Sequence, residues 1–226
     1  MLIDGRFCGP PDSGNGGYTS GLLAGLVPGV GPGDAVEVTL RKPPPLDVEL
    51  RSEVAGRRAV LHLPGADGDA PGETVADAEW LEPGRFDVEP VPWTAERGVY
   101  PGHTRHPFPS CYVCGPDNKD GLHIYPGRIA PGRTAADWLV PDDVSSATVW
   151  AALDCPGGWT IQLEERPSVL GRFAVRIDAL PAPGSECVIV GELRGAQGRK
   201  SHPVTSLYDP SGQLLAVARA TWIALA

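Results

Sequence analysis

Apolar and polar residues alternate along much of this chain. In Val36-Glu37-Val38-Thr39-Leu40 and Val48-Glu49-Leu50-Arg51 every second position is apolar, the period of a strand with one face buried. The pattern predicts strands over 35–41, 46–54, 58–63 and 74–81, with Pro43-Pro44-Pro45 separating the first two and a turn over 65–72. Further strands are predicted over 122–126, 133–139, 168–179, 186–197, 202–209 and 214–224, the last two joined by a tight turn at Pro210-Ser211-Gly212. Two stretches break the alternation. Residues 14–27, GNGGYTSGLLAGLV, run from a glycine-dense turn into an apolar segment of helical length. Its Leu22, Leu23, Leu26 and Val27, with Gly21, Ala24 and Gly25 between them, make it greasy nearly all round, so it is expected to be buried and wrapped by a sheet. A second helix is predicted over 145–159, led in by Pro141-Asp142-Asp143, capped by Ser145 or Ser146, and ended or bent by Pro156-Gly157-Gly158.

Each half therefore reads as a helix followed by long antiparallel strands, which suggests a duplicated unit. The expected division is 1–83, a connector over 84–109, and 110–226. The connector is rich in proline but carries Phe86, Val91, Trp93 and Tyr100. Aromatic side chains need somewhere to pack, so it is expected to cross the surface as an ordered segment.

Composition narrows the function. The chain has 226 residues, 42% of them hydrophobic, enough for a real core. Gly 29 and Pro 25 punctuate the strands instead of forming repeats, so many turns are expected. The net charge of −9, with no stripe of Lys or Arg, argues against nucleic acid as a partner. No apolar run approaches the roughly 20 residues of a membrane helix. The start, MLIDGRFCGPP, reads as neither a signal peptide nor a transit segment. The five cysteines, Cys8, Cys111, Cys114, Cys155 and Cys187, are an odd number without a secretion signal, which points to reduced thiols in the cytoplasm.

Candidate chemistry gathers at the helix starts and ends. Asn15 can cap the first helix. The N–H groups of Gly16 and Gly17, bare and aided by the helix dipole, suit a carbonyl oxygen that gains negative charge. Asp154 follows the apolar run Val149-Trp150-Ala151-Ala152-Leu153, where a carboxylate tends toward a raised pKa and can accept a proton. An acid near a helix C-terminus opposes the dipole, which favours a functional role over simple hydrogen bonding of the helix end. Ser145, Ser146 and Thr148 could hold a water or an acyl group, or could only cap their helix; Tyr18 and Trp150 are further candidate substrate contacts. His202, beside Arg199 and Lys200, could flank a phosphate-bearing carrier or simply mark a strand end.

Cys111 and Cys114 have metal-ligand spacing, and His103, His106 or His123 could in principle complete a site. No second cysteine pair stands at zinc-ribbon distance, so no metal is assigned. No Gly-x-Ser-x-Gly elbow occurs and no dinucleotide-binding glycine turn follows a strand, so no cofactor is implied.

Two stretches carry a family resemblance. Cys111-Tyr112-Val113-Cys114-Gly115-Pro116-Asp117-Asn118-Lys119-Asp120-Gly121-Leu122 resembles the opening of small hotdog thioesterases, Cys-x-x-Cys-Gly … Asn … Gly-Leu. Residues 144–159 resemble their central helix. In that family a His-Gly-Gly turn introduces the helix and an acid stands nine positions after the His; Gly14-Asn15-Gly16-Gly17-Tyr18 resembles that turn with Asn in place of His. The halves depart in opposite directions. Nine residues after Asn15 stands Ala24, so the first helix lacks the acid, whereas nine residues before Asp154 stands Ser145, so the second lacks the glycines. The resemblance implies an α+β double hotdog, two curled antiparallel sheets each wrapped around a central helix. It implies one composite site between the units, with Asn15, Gly16, Gly17 and Asp154 as catalytic residues, beside one degenerate site; Asp154 would activate a water as general base or attack directly as a nucleophile, and Asn15 would orient the substrate or only cap its helix. Its implied activity is hydrolysis of an acyl thioester on coenzyme A or a carrier protein, in fatty acid metabolism. The composition suggests no nucleic acid or membrane partner, and whether two double units pair as a homodimer is left open, although exposed sheet edges would favour it. A non-catalytic acyl-binding module and a dehydratase or hydratase are the rival readings.

Overall fold

The computed structural model describes residues 1–66 and 70–225. After a single 3-10 turn at Gly5–Phe7, helix α1 (Gly16–Ala24) is followed by strands β1 (Ala35–Leu40), β2 (Arg51–Ala55), β3 (Arg58–Pro64) and β4 (Pro71–Leu81). The second part contains β5 (Gly127–Ala130), β6 (Arg133–Leu139), helix α2 (Ser146–Gly158), β7 (Ser168–Ile177), β8 (Glu186–Gln197), β9 (Lys200–Tyr208) and β10 (Leu214–Ala224). All ten strands form one antiparallel sheet in the order β2-β3-β4-β1-β7-β10-β9-β8-β6-β5. The two parts are stitched where β1 pairs β7, with Ala35 opposite Arg176 and Thr39 opposite Arg172.

The helices pack antiparallel on one another inside this sheet, α1 against β1, β3, β4 and β7, and α2 against β6 to β10. Their close approach follows from missing side chains. A Cβ on Gly17 would stand 2.6 Å from the Asp154 Cβ, and one on Gly21 would stand 2.6 Å from the Ala147 Cα. The core is continuous across both parts and includes the fully buried Trp138, Trp159 and Phe173. The first part of the connector lies on the other face of the sheet, where Val91 packs among Val188, Val190, Val204 and Val217. Its backbone is pinned there by Ser206 Oγ, which accepts from Val91 N (2.9 Å), and by Tyr208 OH, which donates to Val91 O (2.6 Å). Further along the connector, Tyr100 and Phe108 pack with the main core.

Two expectations need correction. Only residues 51–55 of the segment predicted over 46–54 and its edge form a strand. Asp47 turns the chain with φ 56, and Asp47 N and Leu50 N bond to Ile3 O and Met1 O instead of to a strand partner in the sheet. Residues 122–126 form no strand, because His123 has φ 53 and Leu122 N and Ile124 N bond back to Tyr112 O and Val113 O. The expected end of α2 at Pro156-Gly157-Gly158 is found: Pro156 sits in the last turn and the α-helix stops at Gly158. Of the turn expected over 65–72, residues 67–69 lie outside the described residues.

The C-terminal end of α2 is held by hydroxyl donors from the sheet. Thr205 Oγ1 donates to Leu153 O (2.8 Å) and Thr134 Oγ1 to Pro156 O (2.7 Å), both buried. Thr205→Val keeps the shape and removes one such bond. We expect a loss of about 1 kcal/mol, read as a melting temperature lower by about 2–4 °C for a chain of this size.

Candidate active site

The site starts from the cap of α1. The Asn15 backbone is extended (φ −57, ψ 130), and its side-chain oxygen accepts from Tyr18 N at 2.8 Å. That bond fixes the amide orientation and turns Nδ2 toward α2, where it donates to Asp154 Oδ2 at 3.2 Å. The first free N–H groups of the helix point the same way, and Gly17 N donates to the same oxygen at 3.0 Å. The glycine is what permits this contact, since a side chain at position 17 would run into the Asp154 Cβ and the Trp150 carbonyl. Gly16 N–H, one residue earlier, has no hydrogen-bond partner among the described residues.

Asp154 is only 3% exposed. Its Oδ1 has no hydrogen-bond partner among the described residues. Burial pushes its pKa up to about 7, and negative charge at Cys111 adds to the rise; the Gly17 N–H and the Asn15 amide pull it down. One carboxylate oxygen is thus fixed by the other half of the chain, while the second stays free to accept a proton.

The remaining predicted residues are distributed differently. Ser145 caps α2 in a reciprocal capping box with Thr148: its Oγ accepts from Thr148 N, and its own N–H donates to Thr148 Oγ1, both at 3.3 Å. Ser146 is exposed at the same end. Ser145 stands nine positions and Thr148 six positions before Asp154, about 13 Å and about 9 Å along the helix axis, so these three hydroxyls do not meet the carboxylate. Trp150 is buried, its ring edge-on to Phe173. Tyr18 is half-buried and stacks on Phe7 at 3.9 Å, with Tyr112 edge-on to both. Ala24, which holds the position on α1 that Asp154 holds on α2, is buried and apolar.

Sequence reasoning missed the surroundings of Cys111. Asn15 Nδ2 lies 3.8 Å from its sulfur, and Cys155 Sγ lies 3.8 Å away on the other side. The available signal was that Cys155 directly follows Asp154. Two surface clefts lie elsewhere. One, of about 470 Å³, is lined by Glu37, Arg172, Arg194, His202 and Arg219; the other, of about 530 Å³, by Leu122, His123, Val140 and Gly184. Neither is lined by Asp154.

No protein-family model and no curated protein matches the chain. Solved structures do. A thioesterase candidate from Novosphingobium aromaticivorans aligns with 100% of this chain and 94% of its own, at 17% identity and a TM-score of 0.61. A hot dog fold protein of unknown function from Alicyclobacillus acidocaldarius aligns over 99% of this chain and 91% of its own, also at 17% identity and 0.61. The fold is a double hotdog. A third double-length match, GphF dehydratase 1, covers 94% of this chain and 85% of its own at 15% identity and a TM-score of 0.60. At these identities the likeness is one of fold. In the double hotdog, α1 and α2 are the two central helices, and the Asn15–Gly17–Asp154 cluster lies where the start of one meets the end of the other. Among the described residues, no helix is long and apolar enough to cross a membrane.

Proposed function

We propose that this double hotdog hydrolyses acyl thioesters, carried on coenzyme A or on a carrier protein, at one site shared by its two helices. One observation carries the reading: a buried carboxylate from α2 has one oxygen gripped by amide donors at the start of α1 and the other unpaired. A water placed at Oδ1 gives its proton to Asp154 as it adds to the thioester carbonyl. The carbonyl oxygen gains negative charge against Gly16 N–H, and against Gly17 N–H as Asp154 becomes protonated and releases it. The C–S bond then breaks, the thiolate leaves, and Asp154 returns the proton to sulfur. Asn15 keeps the carboxylate in place throughout. The structural likeness to a thioesterase candidate agrees with this reading. The dehydratase likeness weighs less, since among the described residues the hydrogen-bond partners of Asp154 are Asn15 and Gly17 and include no histidine. The reading places the protein in the cytoplasm, where its five buried thiols stay reduced.

A second reading rests on an observation of its own. Asp154 already occupies the Gly17 N–H and is buried, so it could serve as a tie between the two halves of a binding module. Thiol release from a series of acyl-CoA chain lengths, paired with calorimetry, separates the two. Saturable release supports hydrolysis. Tight acyl-CoA binding without release makes the protein a binding module, and absence of both removes the thioester from the account.

A further inference from the structure

Cys111, Cys114 and Cys155 have their sulfur atoms within 4.8 Å of one another, and all three are buried. Chain folding brings them together from two elements. Cys111 and Cys114 lie on a tight turn closed by Gly115 N–H donating to Cys111 O at 2.8 Å. Gly115 is required there, because a Cβ would stand 2.4 Å from both Cys111 N and Pro109 O. Cys155 comes from α2.

Three N–H groups converge on the sulfurs. Asn15 Nδ2 faces Cys111 Sγ at 3.8 Å, and Trp159 Nε1 donates to Cys114 Sγ at 3.4 Å. His106 Nδ1 accepts from Phe108 N at 2.8 Å, which assigns the ring proton to Nε2, itself 3.4 Å from Cys114 Sγ. Apolar surroundings have no use for such donors around neutral thiols, whereas sulfur that carries negative charge does.

We propose that Cys111, Cys114 and Cys155 together bind one thiophilic metal ion, zinc being the ion whose dimensions fit. Two sulfurs on a tetrahedral zinc with bonds of 2.3 Å lie about 3.8 Å apart, and the Cys111–Cys155 sulfurs are separated by 3.8 Å. Binding replaces three S–H protons, which leave to solvent, by three metal–sulfur bonds. Three thiolates against a divalent ion leave one excess negative charge, which the N–H donors of Asn15, Trp159 and His106 spread. The ion would pin the turn that holds Cys111 and Cys114 to α2, one residue from Asp154. The sequence alone assigned no metal, because the third sulfur stands 41 positions beyond Cys114 (155 minus 114) on another element. The proposal is independent of the thioester reading.

The test uses the whole protein, with zinc and cobalt(II) as probes. Elemental analysis after dialysis is expected to give one zinc per chain, and cobalt substitution to give the intense near-ultraviolet band of thiolate-to-metal charge transfer. Cys155→Ser is expected to weaken zinc binding at least about tenfold, while Cys187→Ala, outside the cluster, keeps it. Chelation is expected to lower the melting temperature of the wild type. Should Cys155→Ser fail to fold, alkylation of the wild type decides: zinc should shield these three thiols and chelation should expose them. Zinc below stoichiometry, the absence of the charge-transfer band, unaltered affinity in Cys155→Ser, or a Cys111–Cys155 disulfide would each overturn the proposal.

Discussion

Asp154→Asn is expected to fold as the wild type does and to lose thioester turnover by about a hundredfold to ten-thousandfold, the usual share of a positioned general base. The asparagine oxygen can accept from Gly17 N–H and from the Asn15 amide, as Asp154 Oδ2 does now. What it cannot do is take a proton at the position of Oδ1. The two readings of the site therefore part company here: a base is lost, whereas a structural tie is kept. The measurement is initial-rate thiol release at saturating acyl-CoA, with circular dichroism and thermal melting on the same samples. Turnover equal to wild type from a folded Asp154→Asn protein would remove Asp154 from the chemistry. Alanine is the poorer test, since it leaves the Asn15 and Gly17 donors buried without their acceptor.

The largest effect on stability is expected at Gly21. In isolation, an Ala for Gly exchange in a helix gains about 1 kcal/mol. Here the added Cβ meets the Ala147 Cα at 2.6 Å and the Trp150 Cβ at 2.8 Å. The Cα is backbone of α2 and cannot swing aside, so overpacking outweighs propensity. Gly21→Leu, with three more carbons to place, is expected to cost about 3 kcal/mol or more, a large share of the roughly 5–15 kcal/mol that holds a typical domain together. Gly25→Ala is the control. Its backbone is also helical, but the nearest atoms to its Cβ are carbonyl oxygens at 3.5 Å, so it should be neutral or stabilising. Urea unfolding midpoints of the three proteins check this. Similar midpoints for Gly21→Leu and wild type would mean that the helices do not approach each other as closely as described.

Local signals carried much of the fold. The alternation through residues 36–40 places β1, Asn15 caps α1 as its side chain allows, and Pro210-Ser211-Gly212 turns β9 into β10 with Asp209 Oδ1 accepting from Ser211 N (2.9 Å) and Gln213 N (2.8 Å). The failures were long-range. Residues 46–50 look like a strand, but their backbone partners are Met1 and Ile3, which no local pattern announces. Residues 122–126 alternate correctly, yet their N–H groups are taken by the cysteine turn. Pairing of β1 with β7, which merges the two halves into one sheet, depends on strands more than 130 positions apart. At the site, Asn15, Gly17 and Asp154 were legible because each is an odd residue for its place: a polar cap before glycines, and an acid at the end of an apolar helix. Ser145, Ser146 and Thr148 were read as possible substrate contacts from type alone; the length of α2 sets them apart from Asp154. Cys155 was hidden because proximity in space, not spacing in sequence, makes it a neighbour of Cys111 and Cys114; of the three histidines considered beside that pair, His106 reaches Cys114 Sγ, at 3.4 Å.

The most direct measurement is a crystal structure with an acyl-CoA analogue whose thioester sulfur is replaced by methylene, so that the ketone binds but no C–S bond can break. The account predicts the ketone oxygen about 3 Å from the N–H of Gly16 or Gly17, with its carbon facing Asp154 Oδ1 across the space of one water. An analogue lodged instead in the cleft of Arg172 and Arg219, with Asp154 still bonded to Gly17 and out of reach of the ketone, would contradict it.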